Sequence, residues 1–274
     1  MTQAESWNGP AQQRNIAESI SVWMSQLAAV RPVFHSEADF QFALSKIVAD
    51  SGVARIRLER SVPTPGGHRF KVDIMGYLDA GTPIALELKY PKARFVGEVH
   101  SDGYVESFAL PDSAAFDLDA YGIWKDANRI EVLIAAGIVK AGAVIGLTNY
   151  AFWAGRSHKF GTQGHEFRLW QDREVSPGTE LRFPETARWG TKDYAPVRLR
   201  SHYRCSWRPY ARPCGQEFRY MVLTPDPSTS PVIDAETRRA NAPTASAHQV
   251  QAPIICGIGE SSFSRNASGR AGQL

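Results

Sequence analysis

Three acidic side chains and one lysine stand at spacings that could assemble a reaction site. Asp73 lies within Phe70-Lys71-Val72-Asp73-Ile74, Glu87-Leu88-Lys89 follows fourteen residues on, and Glu37 heads an earlier stretch of helical pattern. Asp73, Glu87 and Lys89 fall on strand-like segments, and a period of two turns all three toward a shared face. Carboxylate oxygens gathered there suit a hard divalent cation, which takes oxygen ligands and keeps several waters. A lysine among them adds a compact positive charge, held protonated by its acidic neighbours.

The elements that must position these residues can be read around them. Residues 14–30 carry Ile16, Ile20, Trp23, Leu27 and Val30 at helical spacing before Pro32 ends the run. A second helix is expected after Ser36, with Asp39 three residues on as a capping partner and Phe40, Leu44, Ile47 and Val48 as its apolar stripe up to Ser51-Gly52. Glu37 precedes Phe40 by three and shares its inward face, a costly place for a carboxylate in a plain apolar core but a natural one at the rim of a metal site.

From Ala54 the period changes to two. Ile56 and Leu58 alternate with charges over Arg55–Arg60, the Pro63–Gly67 segment turns, and Arg69–Leu78 returns with Phe70, Val72 and Ile74 on one side and Lys71 and Asp73 on the other. The next strand, Ile84–Tyr90, sets Ile84, Leu86, Leu88 and Tyr90 against Ala85, Glu87 and Lys89. Residues 91–116 read as a loop and Leu118–Ala136 as a helix stopped by Gly137. The unbroken apolar run Ala143–Thr148 predicts a strand buried on both faces, reached by a parallel crossover, with His165–Trp170 as its neighbour. Val197–Tyr203 and Phe218–Leu223 are expected as edge strands. Residues 1–33 thus read as an N-terminal helical segment, 34–175 as the core, 176–224 as a basic, aromatic-rich extension and 225–274, rich in Pro, Ser, Thr and Ala, as a disordered tail.

This order of elements, with Glu37, Val72-Asp73 and Glu87-Leu88-Lys89 inside it, resembles the PD-(D/E)xK nuclease superfamily over residues 34 to about 170. Asp73 matches the superfamily's acidic residue at a strand bend, Val72 stands where a proline is common, and Glu37 matches the glutamate of the first helix. The resemblance implies a restriction-endonuclease-like α/β/α sandwich around a mixed central sheet, with a C-terminal extension. It implies a nuclease hydrolysing phosphodiester bonds of DNA, with Glu37, Asp73, Glu87 and Lys89 as catalytic residues. Asp73, Glu87 and the Leu88 backbone carbonyl would hold Mg²⁺, or Mn²⁺ in its place. Lys125 and Arg129, at i and i+4 on the following helix, are candidate phosphate contacts. An ExK triplet on a strand is also what a plain ladder of ion pairs looks like, and the same scaffold could serve as a catalytically inactive module binding nucleic acid or protein.

Charge distribution adds a second candidate surface. Residues 1–150 hold 14 Lys/Arg against 17 Asp/Glu, whereas residues 151–220 hold 13 against 7. Arg198, Arg200, Arg204, Arg208, Arg212 and Arg219 interleave with Tyr203, Trp207 and Tyr210, so Arg200, Arg204 and Arg208 are candidate nucleic-acid contacts beside stacking aromatic rings. The alternative is a solvated face on which arginine stems cover the rings. Cutting both strands of a duplex would favour a homodimer.

Other classes are disfavoured. The chain has no GxxxxGK[ST], HExxH or GxSxG pattern, and Cys205, Cys214 and Cys256 form no CxxC pair, so free thiols are expected. His158, His165 and His202 are scattered. A carbohydrate hydrolase would leave Lys89 without a task between the paired acids. The N-terminus lacks a secretory pattern and Val132–Leu147 is interrupted by Gly137 and Lys140, so a cytoplasmic protein is expected.

Overall fold

The main sheet of the computed structural model runs in the order β1 (Ala54–Pro63), β2 (Arg69–Leu78), β3 (Thr82–Lys89), β6 (Ala141–Thr148), β12 (Phe218–Leu223) and β11 (Trp207–Ala211). Only the β3–β6 pairing is parallel; the other four are antiparallel. The structure describes residues 9–226 apart from 65–66, 68, 79–80, 102, 114, 156–161 and 188–193. The expected tail beyond 226, Cys256 and His158 lie outside the described residues. No helix among the described residues is long and apolar enough to cross a membrane.

Helices cover both faces of the sheet. On one side, α1 (Gly9–Val30) and α2 (Glu37–Asp50) pack Ile16, Ile20, Met24, Phe40 and Leu44 against Ile74, Ile84, Leu86, Leu88 and Ile145. Ser36 caps α2 as its sequence predicts, accepting the Asp39 N–H at 3.1 Å, a contact worth about 1 kcal/mol. On the other side α3 (Phe116–Ala135) lays Ile123, Trp124, Ala127 and Ile130 on Ala85, Val144 and Met221. α3 carries the chain from β3 to β6, the expected parallel crossover. It packs closely because Gly142 has no side chain: a Cβ there would stand 2.8 Å from the Ala85 carbonyl and 2.9 Å from Ile130.

Four expectations need correction. Residues 95–110 are not loop but a hairpin, β4 (Phe95–Ser101) and β5 (Tyr104–Leu110), which buries Phe95, Val99, Phe108 and Leu110. His165–Trp170 is no strand beside β6. Phe167 and Leu169 are buried in alternation, but their carbonyls accept the indole N–H groups of Trp124 and Trp207 instead of joining a ladder. β12 takes that place, so Phe218–Leu223 is an interior strand, and residues 207–223 belong to the central sheet. Val197–Tyr203 splits into β9 (Val197–Arg198), paired with β8 (Glu180–Leu181), and β10 (Tyr203–Arg204), paired with β7 (Glu174–Val175).

The alternation expected in β1 and β2 is also broken. Leu58 is 38% exposed, and Arg55 and Glu59 have φ of 55° and 51° within the strand. Val72 packs on the α3 side and Ile74 on the α1–α2 side, although a regular strand would turn both the same way. The change of side falls at Asp73.

Candidate active site

β2 and β3 part company at this point. Their ladder runs from Leu78–Thr82 to Ile74–Leu86 and ends there, while β2 goes on pairing with β1 as far as Arg69 and β3 with β6 as far as Lys89. Asp73 and Glu87 are the first residues beyond the fork. In place of the lost ladder bond, Asp73 Oδ2 accepts the Leu88 N–H at 2.6 Å. Burial pushes the Asp73 carboxyl up, opposed by this hydrogen bond and by Lys89.

Glu87 is more deeply held, with its side chain 1% exposed beneath α3. Its Oε1 lies 3.4 Å from Arg129 Nη2 but accepts no hydrogen bond, an uncommon state for a buried oxygen. Burial first, then the charges of Asp126 and Asp73, push its pKa to about 9, against the pull of Arg129 and Lys89. This favours the protonated form of Glu87 at neutral pH.

Lys89 occupies the centre. Its Nζ lies 2.9 Å from Asp126 Oδ2 and 3.6 Å from Glu37 Oε1, and donates to the Leu88 carbonyl at 2.9 Å. Burial alone would lower its pKa, but Asp126, Glu37 and Asp73 outweigh that and hold it above the usual lysine range. The stem has room because α3 carries Gly122 here, where a Cβ would sit 3.4 Å from Lys89 Cε. A mid-helix glycine costs about 1 kcal/mol of helix propensity, so its presence on this face fits the need for clearance. Glu37, the first residue of α2 and half-exposed, accepts the Tyr90 N–H at 2.9 Å and so ties the helix to the end of β3.

The structure thus brings Glu37, Asp73, Glu87, Lys89 and Arg129 together, and adds residues that sequence reasoning missed. Asp126 pairs with both Lys89 and Arg129, the latter at 2.8 Å. Asp119, one α3 turn from Gly122, is pushed up by burial against the pull of Lys89 and Lys92. Asp119, Gly122, Asp126 and Arg129 recur at helical spacing, so a polar stripe on an otherwise buried helix face was the available signal. Gln41 donates from Nε2 to the Asp73 carbonyl at 2.7 Å and to Glu59 Oε1 at 3.0 Å. Asn149 clamps the segment after β3, accepting the Ala93 N–H at 2.7 Å and donating to the Ala93 carbonyl at 3.1 Å. Lys125 sets its ammonium 6.0 Å from the centre of the Tyr121 ring.

Comparison with known proteins gives no relative: no family model, no curated protein and no solved structure matches the chain. Among the described residues no three His, Cys, Asp or Glu side chains form a group arranged to hold a metal ion. The oxygen set at the fork is Asp73, Glu87 and the Leu88 carbonyl.

The arginine-rich segment looks different from its sequence. Tyr203, Trp207 and Tyr210 are buried and so present no faces for stacking on bases. Tyr203 Oη donates to Glu131 Oε1 at 3.0 Å, and the same carboxylate accepts the N–H groups of Arg200 and Ser201, which fastens this segment to α3. Arg204 pairs with Asp172 at 2.9 Å, Arg198 with Glu180 and Arg219 with Glu217, while Arg208 donates to Ser21 Oγ at 2.6 Å. Cys205 is a buried free thiol and Cys214 an exposed one.

Proposed function

We propose that the chain is a divalent-cation-dependent phosphodiesterase acting on DNA, of the PD-(D/E)xK kind its sequence resembles. The observation that supports this most is the fork: two strands stop pairing at the residues whose side chains, Asp73 and Glu87, are the candidate ligands, with Lys89 beside them. The state of Glu87 supports it too. Its buried Oε1 has no hydrogen bond, and burial with Asp126 and Asp73 close by raises its carboxyl. A cation there would satisfy the oxygen and take the place of the proton.

The donor set fits Mg²⁺, since two carboxylates and a carbonyl are hard oxygens and leave places for water and phosphate. When bound, such an ion supplies neutralising charge for the phosphate and makes water acidic enough to be a nucleophile near neutral pH. The chain's own groups do the rest. Asp73 and Glu87 would hold the ion, Asp73 being fixed in direction by the Leu88 N–H and by Gln41 behind its backbone. Lys89, fixed between Asp126 and Glu37 and held charged, acts as a point charge on the phosphate or the attacking water and does not take up a proton. Arg129 sets the depth of the Glu87 carboxylate.

The second reading is a nucleic-acid- or protein-binding module that does not cut. It is favoured by the pairing of both Lys89 and Arg129 with Asp126, which neutralises part of the cluster from within. Incubation of supercoiled, linear and single-stranded DNA with Mg²⁺ or Mn²⁺, beside the Asp73→Asn variant, separates the two. Metal-dependent cleavage that the variant lacks supports hydrolysis; intact substrates with every metal support the module.

A further inference from the structure

The edge strand β1 carries a row of arginines that the site itself does not use. Arg55, Arg57 and Arg60 line a shallow groove of about 440 Å³ with Leu58 and Tyr77. All three arginines are exposed, and among the described residues none pairs with a carboxylate. Arg57 reaches only the Ile56 carbonyl at 2.9 Å, and Arg55 lies 5.7 Å from the centre of the Tyr77 ring. The contrast with Arg198, Arg204 and Arg219, each bound to an acid, is direct.

Backbone geometry explains how they come to share one groove. Residues 57 and 60 are an odd number apart, so a regular strand would send them to opposite faces. Between them Glu59 adopts φ 51°, a left-handed conformation that costs a non-glycine residue roughly 1–2 kcal/mol. Its carboxylate is held where it is by Gln41 at 3.0 Å and Lys71 at 3.7 Å, and Gln41 also grips the Asp73 carbonyl. Glu59 stands opposite Asp73 in the register set by Leu58–Ile74 and Arg60–Val72. One glutamine therefore joins the kink that aligns the arginines to the backbone of the candidate metal ligand.

We infer that the β1 groove is the surface on which this protein takes up the phosphate backbone of duplex DNA, feeding the strand toward the fork at Asp73. The inference rests on the phosphodiesterase reading for its substrate. It replaces the 198–219 arginines as the principal electrostatic contact. Unpaired guanidinium groups on an extended strand suit phosphates, which they meet through two donors at once. Charged side chains on an edge strand also discourage pairing with a second chain, and that role alone is the competing account.

The test is binding of a fluorescein-labelled 20-base-pair duplex in EDTA, where no cutting occurs, across a salt series. The wild type is compared with Arg57→Ala/Arg60→Ala, with Arg57→Lys/Arg60→Lys, and with Arg204→Ala/Arg208→Ala; circular dichroism and gel filtration of each report folding and self-association. We expect the alanine pair on β1 to weaken binding at least about tenfold and to reduce the slope of log affinity against log salt by roughly 2. The lysine pair should stay within a few-fold of the wild type, as should the 204/208 pair, with folding and oligomeric state unchanged throughout.

Wild-type affinity in the β1 alanine pair overturns the inference, as does a wild type that binds no duplex or a loss that merely tracks self-association. Cleavage of plasmid with Mg²⁺ is scored separately. A wild type that cuts while the alanine pair binds normally removes the groove and leaves hydrolysis. A groove that binds in a protein that never cuts removes hydrolysis and leaves the groove.

Discussion

Asp73 and Leu88 are joined across the mouth of the fork by a 2.6 Å hydrogen bond from the Leu88 N–H to Asp73 Oδ2. A side chain thus stands in for the backbone partner that the parting of β2 and β3 removes, and its second oxygen remains for other work. Two substitutions separate the structural share of this carboxylate from the chemical one. Asp73→Asn keeps an acceptor for the Leu88 N–H and loses the charge; Asp73→Ala loses both. Cleavage should vanish in either variant, while only Asp73→Ala should lose about 1–3 kcal/mol of stability in urea titration, the cost of an unsatisfied N–H.

Glu87 makes metal-free stability depend on pH. With a carboxyl at about 9 in the folded protein and an ordinary value of 4.5, Glu87 takes up a proton on folding. Its contribution is complete below about pH 4.5 and is lost as the pH rises through about 9. Asp73, also raised, acts in the same direction. In EDTA the melting temperature of the wild type should fall between pH 5 and 9, and Glu87→Gln should flatten that fall. A wild-type profile that rises across the same window contradicts the assignment.

Cation binding should show the same proton. Because the ligand must be deprotonated, Mn²⁺ affinity should increase from pH 6 to pH 9 with release of a proton. Calorimetry in two buffers of different ionisation enthalpy measures that release directly. Glu87→Gln should abolish it.

Asp126 is a positioning residue for Lys89 and Arg129. Asp126→Asn should lower kcat by about tenfold or more with a smaller change in KM, because Lys89 loses its nearest partner but not its charge. Lys89→Met should abolish turnover, and Lys89→Arg should not restore it, since the planar guanidinium cannot occupy the space left beside Gly122 by a slim ammonium stem.

Tyr203 serves the fold. Tyr203→Phe removes its hydrogen bond to the buried Glu131 and should cost about 1–3 kcal/mol in chemical denaturation, with duplex affinity unchanged for the folded variant.

What was legible in the sequence follows from which signals are local. Period-two alternation gave β2 and β3, and with them the shared face of Glu87 and Lys89; the Ser36 cap fixed α2 and hence Glu37. The β4–β5 hairpin was legible and missed: Phe95, Val99, Phe108 and Leu110 alternate around Asp102-Gly103, a strong turn pair. His165–Trp170 misled because Phe167 and Leu169 alternate like a strand, yet two tryptophan N–H groups from α3 and β11 satisfy their carbonyls. The arginine–aromatic run misled in the same way, since burial of Trp207 and Tyr210 depends on β12 standing between β6 and β11, and that of Tyr203 on its hydrogen bond to Glu131 of α3. Gln41 acts through partners 18 and 32 residues away in the chain, and no local pattern announces such contacts; Asp126 was marked by the polar stripe on α3, but not its pairing with Lys89.

The most direct measurement is anomalous scattering from crystals soaked in Mn²⁺. A single peak bonded to the carboxylates of Asp73 and Glu87, with Arg129 withdrawn from Glu87 Oε1, is the expected result. Density that shows no manganese at the fork, and Glu87 still paired with Arg129, would contradict the account.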